Sequence, residues 1–434
     1  MNFQTSVIVA LGFLTASGIF AAEHVYTAPP LSFYEKKFPW TVPKSLSDKQ
    51  TASHQGSPDW NADEEKVRAV TLPDLFTLAD GTSVSTAAQW TQRRRPELLR
   101  LFQREVFGVA PPRPADLTFR VVETDPGALG GKATRKKVEL RFTVGGEPYA
   151  FHVHLFVPNQ RSTPVPVFLQ LNHRGAGAPD PVALTTTGYF PAEYVINRGY
   201  AIGVVFTAAE VDPDKANADT GIRAFYKRHH DQPDTFTWGT LAAWAWSGSR
   251  ALDYFETDPD LDAKRVALVG QSRGGKTALW GGANDERFAL VCCNCAGEGG
   301  PALARRNFGE TLGQITRAFP HWFTPTYAAY ANKIDQLPID AHELIALVAP
   351  RAYHGVDASE DLHSDPRGSW LALVEASKVW SLLGHGQPWK DQMPLVNDLC
   401  MDGPLAYHMR AGEHDLKLFD WKLYLDHADT LFRK

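Results

Sequence analysis

Cysteine is scarce in this 434-residue chain: there are four, and Cys292, Cys293 and Cys295 crowd into one CCNC run. Such scarcity excludes a miniature scaffold stapled by disulfides. Neighbouring residues of a strand point to opposite faces, so Cys292 and Cys293 are not expected to bond to each other. CCNC also lacks the fourth ligand and the spacing of a structural zinc site. Buried free thiols are the expectation, with one bridge through Cys400 left open. Net positive charge is missing as well. Lys and Arg total 44 against 49 Asp and Glu, a formal charge of −5, and a nucleic-acid partner would call for a strongly basic face. No run reaches the ~18 consecutive apolar residues of a membrane span. Internal repeats and low-complexity tracts are absent too. What is present, 44% hydrophobic and 21% charged residues, describes a well-cored globular protein, whose length alone allows about three domains.

The first charged side chain is Glu23. Within residues 1–22 the apolar run 7–16 has the length of a signal-peptide core and is followed by Ser17, Gly18, Ala21 and Ala22. This predicts a secretory leader whose removal leaves no stable membrane insertion, in a protein that is periplasmic or secreted. The n-region has no Lys or Arg and no clean A-x-A site, so cleavage is placed only between about Gly18 and Ala22.

Residues 23–65, rich in Pro, Ser and Lys, predict an extended surface arm, and 87–107 a helix. Strands are expected over 117–124, 136–144 and 149–157, separated by turn signals. From 165 onward short apolar strands (165–171, 201–206, 266–269, 289–293, 352–356, 405–411) interleave with helices (238–255, 274–283, 366–383, 418–432). That alternation implies an α/β fold of three layers, a mostly parallel sheet covered on both faces. The expected organisation is a leader over 1–22, an N-terminal arm and helix packed on the core over 23–115, and one α/β core with a β extension over 116–434.

The strand VALVG runs directly into Gln271-Ser272-Arg273-Gly274-Gly275-Lys276, with a helix after it. Gly270 to Gly274 fits G-x-S-x-G, the nucleophile elbow of α/β-hydrolases, where a sharp strand-to-helix turn exposes the serine hydroxyl. The five-residue pattern is weak by itself; its strand–turn–helix setting is what gives it meaning. An elbow serine needs a base and an orienting acid, which come after it in the order acid, then His. His414 lies just past the last predicted strand and before the terminal helix, where the base belongs. His173 precedes the serine, His408 sits inside a strand and His427 inside a helix. The acid belongs after the penultimate strand, where Asp357, Glu360, Asp361 and Asp365 stand. Asp365 before Pro366 reads as a helix N-cap, which leaves Asp361 and Glu360. The backbone N–H of Arg273 supplies one oxyanion donor, and its side chain either a fixed cation beside it or a surface ion pair.

At GQSRGGKTALW the chain resembles the glucuronoyl esterases of carbohydrate esterase family 15, because Arg and Lys flank the elbow serine. The resemblance runs through AGEGGPALARRNFGE, RAFPHWFTPTY, LPIDAHELIALVAPR and the GEHDL segment. It implies an α/β-hydrolase fold, no metal and no cofactor. It also implies cleavage of the ester between 4-O-methylglucuronic acid of glucuronoxylan and lignin alcohols; apart from the resemblance, a monomer is the expectation. Residue by residue it implies Ser272 as nucleophile, His414 as base, Arg273 as oxyanion stabiliser, and Lys276 and Glu310 as sugar contacts. The bland alternative for Lys276 and Glu310 is a pair of solvated surface charges. Fungal members carry the acid where this chain has Cys295. Some bacterial members carry it in a later loop, whose pattern aligns with Asp361-Leu362-His363-Ser364-Asp365-Pro366 and selects Asp361. His363 then stands where the family usually has a tryptophan against the sugar, and Glu298 is the fallback acid. Competing expectations are an acetylxylan esterase or general carboxylesterase on the same fold, and a non-catalytic glycan-binding protein. A metallohydrolase is not expected, because His342-Glu343 lacks the second helical His of H-E-x-x-H.

Overall fold

The computed structural model describes residues 30–54, 57, 59–174 and 180–433; the predicted leader over 1–22 lies outside them. Ten strands form one sheet: β1 Thr118–Gly127, β2 Ala133–Val144, β3 Glu147–Pro158, β4 Val165–Asn172, β5 Ala201–Phe206, β6 Leu261–Gln271, β7 Leu290–Asn294, β8 Ala352–Ala358, β9 Leu399–Asp402 and β10 Leu405–Arg410. Their order is β1-β2-β3-β5-β4-β6-β7-β8-β10-β9. The central run from β5 through β10 is parallel, while β1, β2, β3 and β9 join antiparallel at the two edges.

Side-chain alternation divides the core into two layers, as a strand buried on both faces requires. Val167, Leu169 and Leu171 of β4 and Val266 and Leu268 of β6 face one layer, with Trp244, Leu252, Leu279 and Trp380 of the covering helices. Phe168, Ala267 and Val269 face the other, with Val195, Trp421 and Tyr424. Cys293 belongs to the first layer and Cys292 to the second, so adjacent thiols are held apart by the sheet. All four cysteines are free.

Two expectations need correction. The arm is not wholly extended: Lys44–Ser53 is a helix, one that buries none of its residues. With no apolar face, it leaves no periodic signal in the sequence. Strand β9 leaves no signal either, being four half-exposed or exposed residues at the sheet edge. The helical run over 87–107 does form, but through two π-helical turns, Trp90–Arg94 and Gln103–Phe107, around an α-helical centre, Arg95–Phe102. It stops at Gly108, whose φ is +81° and whose added Cβ would meet Thr237 O at 2.2 Å. Among the described residues no helix is long and apolar enough to cross a membrane.

Candidate active site

Strand β6 ends at Gln271 and the helix Arg273–Asn284 begins two residues on, with Ser272 between them at φ 58° and ψ −128°. A non-glycine residue at positive φ costs strain, of order 1–3 kcal/mol. Here the surroundings impose it. Ser272 N–H donates to Asn294 O of β7 at 2.8 Å, and Ser272 O accepts from Gly275 N at 2.8 Å. The glycine at 270 is required by close passage: a Cβ there would lie 1.9 Å from Gly274 O. The sequence motif and the strained turn are therefore the same object. Arg273 N–H, first in its helix, is one of the donors no helical carbonyl can satisfy, and it sits beside the serine.

All seven residues singled out in the sequence, Ser272, Arg273, Lys276, Glu310, Asp361, His363 and His414, line one cavity of about 390 Å³. His414 Nδ1–H donates to Asp361 Oδ2 at 2.6 Å, and Ser364 Oγ donates to the same oxygen at 2.6 Å. The Asp361 carboxylate is 3% exposed. Burial pushes its pKa up, but the charge and hydrogen bond of His414 and the Ser364 hydroxyl outweigh that and hold it down at about 2. Glu360, its rival, is exposed and meets this region only through its backbone, to Gly412 O and from Gln50. Asp365 caps the helix Pro366–Leu382, accepting from Gly368 N at 2.9 Å. His408 is fully buried within strand β10, bonded to Asp420 and His354 at 2.9 Å each. The fallback acid, Glu298, accepts from Tyr327 OH at 2.5 Å rather than meeting His414, and burial pushes it up to about 8.

Lys276 and Glu310 are not solvated. Their side chains are 5% and 10% exposed, with Nζ 3.6 Å from the carboxylate, and Nζ also donates to Ala296 O. Burial lowers the lysine pKa against the pull of Glu310. His363 Nε2 lies 3.6 Å from the other Glu310 oxygen. Lys276, Glu310 and His363 therefore form a polar ladder along the cavity wall, its first two members buried and His363 partly exposed.

Sequence reasoning missed what holds Arg273. Its guanidinium pairs with Asp214 and lies over the rings of Trp322 (4.6 Å) and Phe319 (5.0 Å). Asp214 also accepts from Trp322 Nε1 at 2.6 Å and bonds His321 Nε2 at 2.9 Å. Burial raises its pKa, but the His321 bond and the Arg273 charge override this and hold it far below the ordinary carboxylate range. The Arg273 Nε is buried without a partner among the described residues, a donor left uncommitted. Trp322 and Phe319 line the cavity too. Cys295 does as well, within 4.8 Å of Asp361 and His414, the one such cluster of metal-binding side chains among the described residues.

The loop carrying His414 is fixed from below by Arg410. Its fully buried guanidinium donates to Ala411 O (3.1 Å), Glu413 O (2.9 Å) and Asp415 O (2.9 Å), and its Nε to Asp420 (3.2 Å). Lysine has the charge but not the fork. We expect Arg410→Lys to lower kcat by on the order of tenfold or more with KM little changed, since misplacing a reacting group by an ångström costs about 10²-fold. Steady-state kinetics with a melting curve alongside check this. An unchanged kcat would mean the loop holds its shape without the fork.

Known proteins share this arrangement of sequence and fold. A family model described as glucuronyl esterase, fungi, matches residues 140–384. A carbohydrate esterase, MZ0003, from an unknown prokaryotic organism is 39% identical over 85% of this chain and 91% of its own. A 4-O-methyl-glucuronoyl methylesterase of Podospora anserina is 28% identical over 72% of this chain and 60% of its own. Among solved structures, a promiscuous esterase of carbohydrate esterase family 15 from a marine bacterial metagenome superposes with a TM-score of 0.78. It is 38% identical and covers 85% of this chain and 99% of that one.

Proposed function

Because the chain belongs to the glucuronoyl esterase family, carbohydrate esterase family 15, and is a carboxylic ester hydrolase, we propose that it is a secreted enzyme that cleaves esters of 4-O-methylglucuronic acid borne on glucuronoxylan, releasing a lignin-type alcohol. The observation that carries this reading is the meeting, in one cavity, of a strained serine, an Asp361–His414 pair and a buried lysine–carboxylate ladder. The first two supply acyl transfer. The ladder supplies hydroxyl recognition that a fatty acyl group cannot use.

His414, held in one tautomer by Asp361, takes the proton of Ser272 as its oxygen attacks the ester carbonyl. The tetrahedral oxyanion is met by Arg273 N–H and the Arg273 guanidinium, whose position Asp214, Trp322 and Phe319 fix beforehand. His414 then gives its proton to the leaving alcohol, and a glucuronoyl ester on Ser272 remains. Water, deprotonated by His414, hydrolyses that ester and restores the serine. Lys276 and Glu310 bond the sugar hydroxyls and so keep the uronate carbonyl over Ser272.

The test is a comparison of methyl and benzyl glucuronate esters with acetylated xylan and fatty acyl esters. A preference for the acetyl or fatty esters would overturn the substrate assignment. Lys276→Met should lower kcat/KM for the glucuronate ester about 10- to 100-fold, the worth of a hydrogen bond to a charged group. Activity on a simple acetyl ester should fall much less, and equal losses on both would deny the ladder its role in sugar recognition. A broader carboxylesterase activity is the second reading, favoured by the promiscuity ascribed to the metagenomic relative.

A further inference from the structure

The N-terminal arm returns to the catalytic face and grips the loops that line the cavity. Trp40 Nε1 donates to Ser359 O at 3.0 Å and Gln50 Nε2 to Glu360 O at 2.6 Å, both just before Asp361. Asn61 pairs with Gly309, next to Glu310, and Glu64 accepts from Arg306 at 2.8 and 2.9 Å. These contacts alone would make the arm a strap. Two of its residues do something more. His54 and Trp60 stack at 3.6 Å, their planes 2° apart. Their centroids lie 5.7 and 6.0 Å from the ring of His363, tilted by 32° and 33°.

Neither ring depends on a ligand for its orientation. His54 Nδ1 bonds Gln50 O at 2.7 Å and Trp60 Nε1 donates to Thr51 Oγ1 at 3.2 Å, both within the arm. Both residues are partly exposed, and the His363 side chain is 41% exposed. Flat, fixed, half-covered rings at the end of a hydroxyl-binding ladder form a surface for a ring with an apolar C–H face and hydroxyls around its edge. Contacts run from Lys276, one helical turn after Ser272, to Glu310 at 3.6 Å, from Glu310 to His363 at 3.6 Å, and from His363 to the stacked pair. The ladder lies on the acyl side of the ester, so the group beyond the uronate in that direction is the glycan that carries it. The alcohol leaves on the other side of the carbonyl.

We propose that His54 and Trp60, continuous with His363, form a subsite for the neutral pyranose adjoining the uronate, which lets the enzyme grip the polysaccharide as well as its acidic branch. This rests on the uronate-esterase reading for its direction, and on the arm's geometry for its existence.

The test compares three esters: methyl 4-O-methylglucuronate, its benzyl counterpart, and the methyl ester carried as a branch on a short xylo-oligosaccharide. Trp60→Ala should lower kcat/KM on the branched substrate about tenfold, through KM, as expected for loss of one aromatic stacking contact. Both monosaccharide esters should stay within about twofold, since they do not reach the shelf. Trp60→Phe should recover most of the loss. Equal losses on all three esters would reduce Trp60 to a structural role. A loss confined to the benzyl ester would hand the shelf to the alcohol, and no loss would remove it; each result overturns the proposal. Calorimetric titration of the same oligosaccharide without its ester separates this from the esterase reading. Weaker binding by Trp60→Ala supports the shelf even if no uronate ester is cleaved. Unchanged binding sinks it even if every ester is.

Discussion

Ser272→Ala lowers kcat on a glucuronate ester by about 10⁵-fold, leaving only what the oxyanion donors and substrate placement achieve. The size reflects the absence of a substitute. No other hydroxyl in the cavity sits at a strained strand–helix turn, and Ser364, the nearest alternative by chemistry, already spends its proton on Asp361. The same variant should retain substrate binding, because Lys276, Glu310 and Arg273 are untouched. Rapid-mixing kinetics on the native chain should show a burst of alcohol and a trapped acyl group on Ser272. Full activity in the alanine variant would end the nucleophile assignment outright.

Asp361→Asn should cost about 10⁴-fold in kcat, because an amide can hold His414 in the wrong tautomer and cannot stabilise its cation. Glu360→Gln, one residue away, should change kcat less than about twofold, being an exposed side chain that meets the site only through its backbone. The pair of variants measured side by side decides the acid, and a reversed pattern would assign it to Glu360. The pH dependence has a definite sign. The Asp361 carboxyl is held at about 2 against an ordinary 3.8. Its contribution to stability is therefore complete above the unfolded value and lost as pH falls from about 4 through 2. Asp361→Asn should remove that part of the acid unfolding transition.

The elbow was legible in the sequence because everything it needs is local: a β run, glycines at 270 and 274, and a helix. Asp361 was legible to within one residue from loop position, and Lys276 and Glu310 only through family resemblance. That resemblance could not tell solvated charges from a buried ladder, since burial belongs to the fold and not to the motif. Asp214, Trp322 and Phe319 were missed because they meet Arg273 from segments 46 to 59 residues away, and neither segment carries a pattern that announces the contact. Arg410 escaped for a related reason. Its work is done on backbone carbonyls, which leave no trace in the sequence. In the arm, helix Lys44–Ser53 has no apolar stripe to betray it, and His54 and Trp60 gain meaning only beside His363.

The strap that the arm lays over the acid loop also sets an order of events. Its anchors close over very long stretches of chain: Gln50 with Glu360 is separated by 310 residues, Trp40 with Ser359 by 319, and Lys37 with Asp398 by 361. The arm therefore emerges from the ribosome hundreds of residues before its partners exist. Contacts of such separation carry a large loop-closure cost and are expected to close after more local pairings. Birth order and docking order are then expected to be reversed, with the part of the catalytic face made first completed last.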